Sequence, residues 1–143
     1  MIVLDEQLLS YGVQASIARW YRGAVTDITQ LRPNTVILDK AIPMLLRAVS
    51  RPTFVTINVA DFWRRLAPDS RFCMVCCAVL HTRAQEVPDL LRRALALEQF
   101  RTRSRRLGKI ARVSPQHVQY YTTDARAIHL VAWPKAARQG QRR

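Results

Sequence analysis

Residues 53–58 read Thr-Phe-Val-Thr-Ile-Asn, and this run, followed by Asp61, decides how the rest of the chain is interpreted. β-Branched and aromatic residues dominate the run, as is typical of a strand in the middle of a sheet. An acid just beyond a buried strand lies near the crevice where open α/β sheets bind their ligands. The run therefore predicts a central strand that leads into a ligand site.

Six other segments have the composition or the alternation of strands. Residues 72–80, FCMVCCAVL, are continuously apolar, a pattern typical of a strand buried on both faces of a parallel sheet. We read Cys73, Cys76 and Cys77 as part of this buried strand, because a structural zinc site needs about four ligands and there is no second cysteine pair. The remaining predicted strands are 1–4, 24–26, 109–113, 118–122 and 127–133.

Apolar residues recur every three or four positions between these strands, which predicts amphipathic helices. One predicted helix spans residues 7–21 and is interrupted by Gly12. A second is capped by Asp39, and a short third begins at Asp61. A fourth runs from Pro88 toward Gly108. Strands that alternate with helices predict a three-layer α/β/α sandwich with a mostly parallel sheet. We expect this α/β domain to span residues 1–108, followed by a basic β extension (109–134) and a disordered basic tail (135–143).

The chain is strongly basic, with 23 Lys and Arg against ten Asp and Glu and a net charge of +13 in 143 residues. From Arg101 onward there are eleven basic residues and one acid. Nucleic acid is the first partner that such a charge predicts, an acidic protein is the second, and a merely solvated face is the third reading. No run of about 18 apolar residues and no signal peptide is recognisable, so the sequence predicts a cytoplasmic protein without a membrane partner.

Three acids follow apolar runs in distant parts of the chain. Asp5 closes residues 2–4, Asp39 closes residues 36–38, and Asp61 follows the run at 53–58. Carboxylates that converge at strand ends are suited to Mg²⁺ or Mn²⁺, so the pattern predicts a metal-dependent enzyme that acts on a polyanion.

Three further residues near these strand ends have two readings each. Glu6 either faces the same crevice or faces solvent. Asp27 ends a short strand and is either a further acid of the site or an ordinary turn residue, because Asp is common in turns. Thr56 either orients a ligand or satisfies a backbone group.

The apolar-Leu-Asp-Glu opening, the acid at a helix start in mid-chain and Val55-Thr-Ile-Asn-x-x-Asp-Phe62 resemble the PIN-like nucleases. The resemblance covers about residues 1–100 and is greatest to the small bacterial branch related to the C-terminal domain of the Mut-7 exonuclease. It implies a PIN-like fold and a metal-dependent endoribonuclease with Mg²⁺ or Mn²⁺. Many bacterial members are toxins of toxin–antitoxin pairs and many are dimers, so the resemblance also implies a cognate antitoxin and a homodimer.

Carried over from this family, Asp5, Asp39 and Asp61 are the catalytic acids and metal ligands, with Glu6 beside them. Asn58 stands where close relatives often have Asp, and its amide oxygen can still bind a hard cation. The bound metal ions would hold the scissile phosphate, lower the pKa of a bound water and stabilise the leaving oxygen. The alternative is a catalytically degenerate PIN-like domain that binds RNA or an acidic partner protein, and the neutral Asn58 favours it.

Two groups of basic residues are candidates for RNA binding. Arg64 and Arg65 directly follow Phe62-Trp63, so aromatic stacking and phosphate pairing meet there. The second group, here called the basic run, is Arg101, Arg103, Arg105, Arg106, Lys109 and Arg112.

Overall fold

The computed structural model describes residues 1–10, 12–124 and 127–134, and the predicted tail lies outside them. One seven-stranded sheet organises this part of the chain. Its strands are β1 (Ile2–Leu4), β2 (Val25–Asp27), β3 (Thr53–Thr56), β4 (Cys73–Cys77), β5 (Lys109–Val113), β6 (His117–Thr122) and β7 (His129–Ala132). The α-helices are α1 (Val13–Ala18), α2 (Ile28–Leu31), α3 (Ile42–Arg47), α4 (Val59–Phe62), α5 (Val87–Leu95) and α6 (Arg103–Arg106). Short 3₁₀ helices span Glu6–Leu8, Asp39–Ala41 and His81–Glu86.

The strands lie in the order β2-β1-β3-β4-β5-β6-β7. The first five are parallel, and β6 and β7 continue the sheet in antiparallel pairing. The predicted α/β class with a mostly parallel sheet is confirmed. All three strands of the predicted basic extension belong to this same sheet, since β5 pairs in parallel with β4.

Successive strand residues face opposite sides of the sheet, and helices cover both sides. On the first face, Leu4, Val55 and Val75 pack in one core with residues of α1 and α5. On the second face, Val3, Phe54 and Met74 pack in another core with residues of α2, α3 and α4. Cys73, Cys76 and Cys77 are buried free thiols within β4, as the reading of a buried strand predicts, and burial raises the pKa of Cys73 and Cys77 to about 12.

The apolar run 36–38 is not the end of a strand, and the prediction that Asp39 caps the next helix is wrong. The segment has no regular structure, and Asp39 is the first residue of the 3₁₀ helix Asp39–Ala41 rather than a cap. The physical reason is that only Ile37 is buried, while Val36 is 83% and Leu38 is 56% exposed. A single buried side chain does not tie a segment into a sheet core.

Three predicted helix boundaries are also wrong. The first helix begins only at Val13, because Gly12 adopts a left-handed conformation (φ 65°) that stops regular helix there. The fourth predicted helix ends at Leu95, and Thr102 is extended and caps a separate α6 by accepting the Arg105 N–H. The short helix begins at Val59, before Asp61, because Asn58 is its N-cap. Among the described residues no helix has the length and apolar character to cross a membrane.

Candidate acidic site at the carboxyl edge of the sheet

The strand order creates one crevice between β1 and β3. The chain leaves β1 to form β2 on one side and returns to form β3 on the other, so the connections diverge between β1 and β3. In sheets of this order, ligands bind outside the carboxyl ends of the strands at this switch point. Asp5 directly follows β1, and Thr56 is the last residue of β3.

Asp5 is 4% exposed, and both of its carboxylate oxygens accept hydrogen bonds. The Thr56 hydroxyl donates to Oδ2 (2.6 Å), and the Glu6 backbone N–H donates to Oδ1 (2.8 Å). Burial raises the pKa of Asp5; the two hydrogen bonds oppose this rise, and the negative charges of Asp39 and Glu6 add to it. Asp5 is therefore a buried, fixed acid beside other acids.

Asn58 connects Asp5 to the remaining acids. Its backbone N–H donates to the Thr56 hydroxyl (2.9 Å). Its amide Nδ2 donates to Asp39 Oδ2 (3.2 Å) and to Asp61 Oδ2 (2.9 Å), while its Oδ1 accepts the Asp61 backbone N–H (3.2 Å). A continuous chain of hydrogen bonds therefore joins Asp5 directly after β1, the end of β3, α4 and the segment before α3.

Like charges meet around this amide. Partial burial raises the pKa of Asp39, as do the neighbouring carboxyl groups of Asp61 and Glu6, while the hydrogen bond from Asn58 lowers it. We call Asp5, Glu6, Asp39 and Asp61, with Asn58 among them, the acidic cluster. Four of the five residues that the sequence singled out as metal ligands are thus linked by hydrogen bonds through Thr56 and Asn58, whereas Glu6 is exposed and contributes its backbone N–H to Asp5.

The donor atoms of the acidic cluster fit a hard cation in kind, because carboxylate and amide oxygens are the ligands that Mg²⁺ and Mn²⁺ prefer. Within the described ranges, however, no three His, Cys, Asp or Glu side chains are already grouped to hold a metal ion. At this edge the Asn58 NH₂ group donates a hydrogen bond to each of the Asp39 and Asp61 carboxylates. To bind a cation together with them, Asn58 must turn its amide and present Oδ1.

Asp27 has a different role from the acidic cluster. It is 8% exposed and caps α2, where its Oδ1 accepts the Thr29 backbone N–H (3.0 Å) and the Thr29 hydroxyl. Its carboxylate therefore stabilises a helix start.

A cavity of about 530 Å³ opens beside the acidic cluster. It is lined by Asp39, Lys40, Pro43, Asp61, Phe62, Arg65 and Leu66. Lys40 and Arg65 therefore place two cationic side chains beside two of the acids. A bound phosphate would meet positive charge there as well as the acidic cluster.

Most of the basic run lies at the other end of the sheet. Arg106 is 5% exposed and donates to the hydroxyl of Thr53, the first residue of β3, at 3.1 Å and to the Phe100 carbonyl at 2.9 Å. Lys109 is the first residue of β5 and donates to the Gln99 (2.9 Å) and Arg105 (2.6 Å) carbonyls. Burial lowers the pKa of Lys109. Parallel strands begin at this edge and end at the acidic cluster, so the two features are on opposite edges.

The other four members of the basic run differ in their surroundings. Arg101 forms an ion pair with Glu98 (2.8 Å), Arg105 also pairs with Glu98, and Arg103 is exposed on α6. Arg112 of β5 is in register with Cys76 of β4, and Cys76 is in register with Thr56, the last residue of β3. Arg112 therefore lies at the carboxyl edge of the sheet. Of the six residues, Arg112 is therefore the one that shares an edge with the acidic cluster.

Replacing Arg106 by Met is expected to lower the free energy of unfolding by about 2–4 kcal/mol, because Thr53 and the Phe100 carbonyl lose a buried donor. Denaturant unfolding measures this change. Arg103→Met removes the same charge from an exposed position of the same helix and is expected to change stability by less than about 0.5 kcal/mol. Equal effects of the two substitutions would contradict a structural role for Arg106.

Sequence reasoning left the role of Thr56 open and did not identify Lys40. Thr56 is fully buried and does two things, since its hydroxyl donates to Asp5 and accepts the Asn58 backbone N–H. The available signal was its period-two relation to Asn58 on one strand. Lys40 directly follows Asp39, and only the geometry of the cavity brings it to the site.

Comparisons of the chain with models of protein families, with curated proteins and with solved structures found no match.

Proposed function

We propose that the protein is an endoribonuclease that requires Mg²⁺ or Mn²⁺ and whose reaction centre is the acidic cluster. The observation that carries the proposal is a chain of hydrogen bonds at the switch point between β1 and β3. It links Asp5 through the Thr56 hydroxyl to Asn58, whose amide donates to both Asp39 and Asp61. Lys40 and Arg65 beside these acids, on a chain of net charge +13, favour a polyanionic substrate such as RNA. The role of a toxin paired with an antitoxin, implied by the family resemblance, belongs to the same proposal.

Each residue of the cluster has a part in this mechanism. Asp5, Asp39, Asp61 and the Asn58 oxygen would hold the cation, which supplies a polarised phosphate and a water of lowered pKa. Thr56 fixes the Asp5 carboxylate through its hydrogen bond of 2.6 Å. Lys40 and Arg65 would neutralise oxygens of the phosphates on either side of the reacting phosphate. Burial is the main cause that raises the pKa of Asp5 and of Asp39, and the negative charges of neighbouring acids add to the rise. A bound cation relieves this added repulsion, so the crowding of these acids favours cation binding.

A second candidate function is RNA binding, or binding of an acidic partner protein, without cleavage. The observation in its favour is that Asn58 already donates one hydrogen bond to each of Asp39 and Asp61. A neutral amide there partly satisfies both carboxylates without a metal ion. The two candidates differ in whether the acidic cluster binds a cation.

The test is incubation of the purified protein with a mixed RNA pool in Mn²⁺ and, separately, in EDTA. We expect internal cleavage products with Mn²⁺ and none with EDTA, and the same cleavage for Asp124→Asn, which neutralises an exposed acid outside the cluster. RNA that is bound in both buffers and cut in neither supports the second candidate. Cleavage that persists in EDTA contradicts the metal-dependent mechanism.

A further inference from the structure

A second cavity, of about 310 Å³, adjoins the one beside the acidic cluster. It is lined by Arg64, Arg65, Leu66, Ala67, Pro68, Tyr121 and Ile128. Arg65 and Leu66 line both cavities, so the second cavity is a direct neighbour of the one that Asp39 and Asp61 line. Most of the second cavity is formed by residues 63–68, here called the α4–β4 loop.

The α4–β4 loop is held in one conformation by Tyr121. Arg64 has a left-handed backbone (φ 64°), which is uncommon for a residue other than glycine and needs support from its surroundings. The Tyr121 hydroxyl accepts the Arg64 backbone N–H (3.1 Å) and donates to the Leu66 carbonyl (2.8 Å). The Trp63 and Tyr121 rings also pack at 5.2 Å. The cavity is therefore preformed rather than made by a free loop.

The two arginines of this cavity are available to a ligand. Arg64 and Arg65 are exposed, and neither forms an ion pair with any acid of the described chain. Arg101 and Arg105, by contrast, are paired with Glu98. Phosphate groups are the ligands that unpaired, closely spaced guanidinium groups bind best.

We propose that the second cavity is a nucleotide subsite: it takes the base of one single-stranded RNA nucleotide next to the phosphate at the acidic cluster. This inference rests on the proposed function, because that function sets which phosphate lies at the cluster. Leu66, Pro68 and Ile128 supply apolar walls for a base, and Arg64 and Arg65 hold the phosphates that flank it. The volume lies at the lower end of the roughly 300–1,000 Å³ of ligand pockets, which suits one base. Bases within a duplex are stacked and paired and do not enter such a cavity.

The first experiment tests the arginines by fluorescence anisotropy with a labelled single-stranded RNA of about eight nucleotides, in EDTA. The double variant Arg64→Gln/Arg65→Gln is expected to bind at least about tenfold more weakly than the wild type. The matched control is Arg19→Gln/Arg22→Gln, which removes the same charge beside α1 on the first face of the sheet. Its affinity is expected to stay within about threefold of the wild type. Equal losses in both double variants would mean that only overall charge matters and would overturn the subsite.

The second experiment tests the cavity without changing charge. Ala67→Leu adds three carbons to an exposed residue of the cavity wall, and Ala96→Leu adds the same at an exposed position after α5. We expect Ala67→Leu to weaken single-stranded RNA binding about fivefold and to leave duplex binding unchanged, and Ala96→Leu to change neither. An unchanged affinity of Ala67→Leu for the single strand would overturn the inference.

These measurements separate the subsite from the nuclease proposal, because binding in EDTA does not depend on cleavage. If both binding results are as expected but Mn²⁺ produces no cleavage, the subsite stands and the nuclease proposal fails. If Mn²⁺ produces cleavage but the arginine and Ala67 variants bind normally, the nuclease proposal stands and the subsite fails. A wild type that binds no RNA overturns the subsite.

Discussion

Asp5→Asn is expected to reduce Mn²⁺-dependent RNA cleavage by roughly 100-fold or more while the chain stays folded. Asp5 is the most buried acid of the acidic cluster, and its position is fixed by Thr56 and by the Glu6 backbone N–H. Asn has the same shape and keeps an oxygen that accepts one of these hydrogen bonds. The substitution therefore removes the negative charge while it preserves the packing, and the loss of cleavage reports on that charge.

The measurement pairs a cleavage assay with thermal unfolding in Mn²⁺ and in EDTA. For Asp5→Asn we expect the stabilisation by Mn²⁺ to shrink together with the cleavage rate, because both depend on the same carboxylate. The exposed Asp124→Asn is the matched control and is expected to keep both. An Asp5→Asn protein that cuts RNA at the normal rate would remove Asp5 from the reaction centre.

Asn58→Asp is expected to have two opposite effects. Without metal it lowers the free energy of unfolding by about 1–3 kcal/mol, because it replaces two hydrogen bonds to Asp39 and Asp61 by repulsion between carboxylates. With Mn²⁺ it increases cation affinity and cleavage by about tenfold, because the cluster gains a negative ligand. Asp also caps helices well, so the start of α4 is preserved.

Unfolding of Asn58→Asp is measured at several Mn²⁺ concentrations beside Asn34→Asp, which makes the same chemical change at an exposed turn residue. We expect two changes in Asn58→Asp alone: a lower unfolding midpoint in EDTA, and a steeper rise of that midpoint with Mn²⁺ concentration. If Mn²⁺ stabilises Asn58→Asp no more than the wild type, the Asn58 amide does not stand in a cation position. That result would favour RNA binding without cleavage.

Much of the fold could be predicted because its signals are local. The β-branched run of β3 and the continuous apolar run of β4 reflect burial, which shapes each strand separately. An apolar run does not always indicate a strand, since the run at 36–38 is mostly exposed and forms none. Composition cannot distinguish these cases, because a strand also needs a neighbour with which to pair.

The acidic residues could be identified because strand-end acids are visible along the chain, but their arrangement could not. Asp5, Asn58 and Asp61 stand out by position alone. That the Asn58 amide lies between Asp39 and Asp61, and that Thr56 bonds to Asp5, depends on how β1 and β3 are aligned. Such alignment is decided by packing between distant segments.

The charged residues show the same difference between what the sequence determines and what the tertiary structure decides. The sequence by itself determined that the chain is strongly basic, that Asp5 and Asp61 come after strands and that its class is α/β. Only the tertiary structure decided that Arg106 is buried against Thr53, that most of the basic run lies at the edge opposite the acids, and that Arg65 lies beside Asp39 and Asp61. The physical reason is that composition and periodicity record the surroundings of each residue along its own element, whereas strand order and crossover connections decide which distant residues meet.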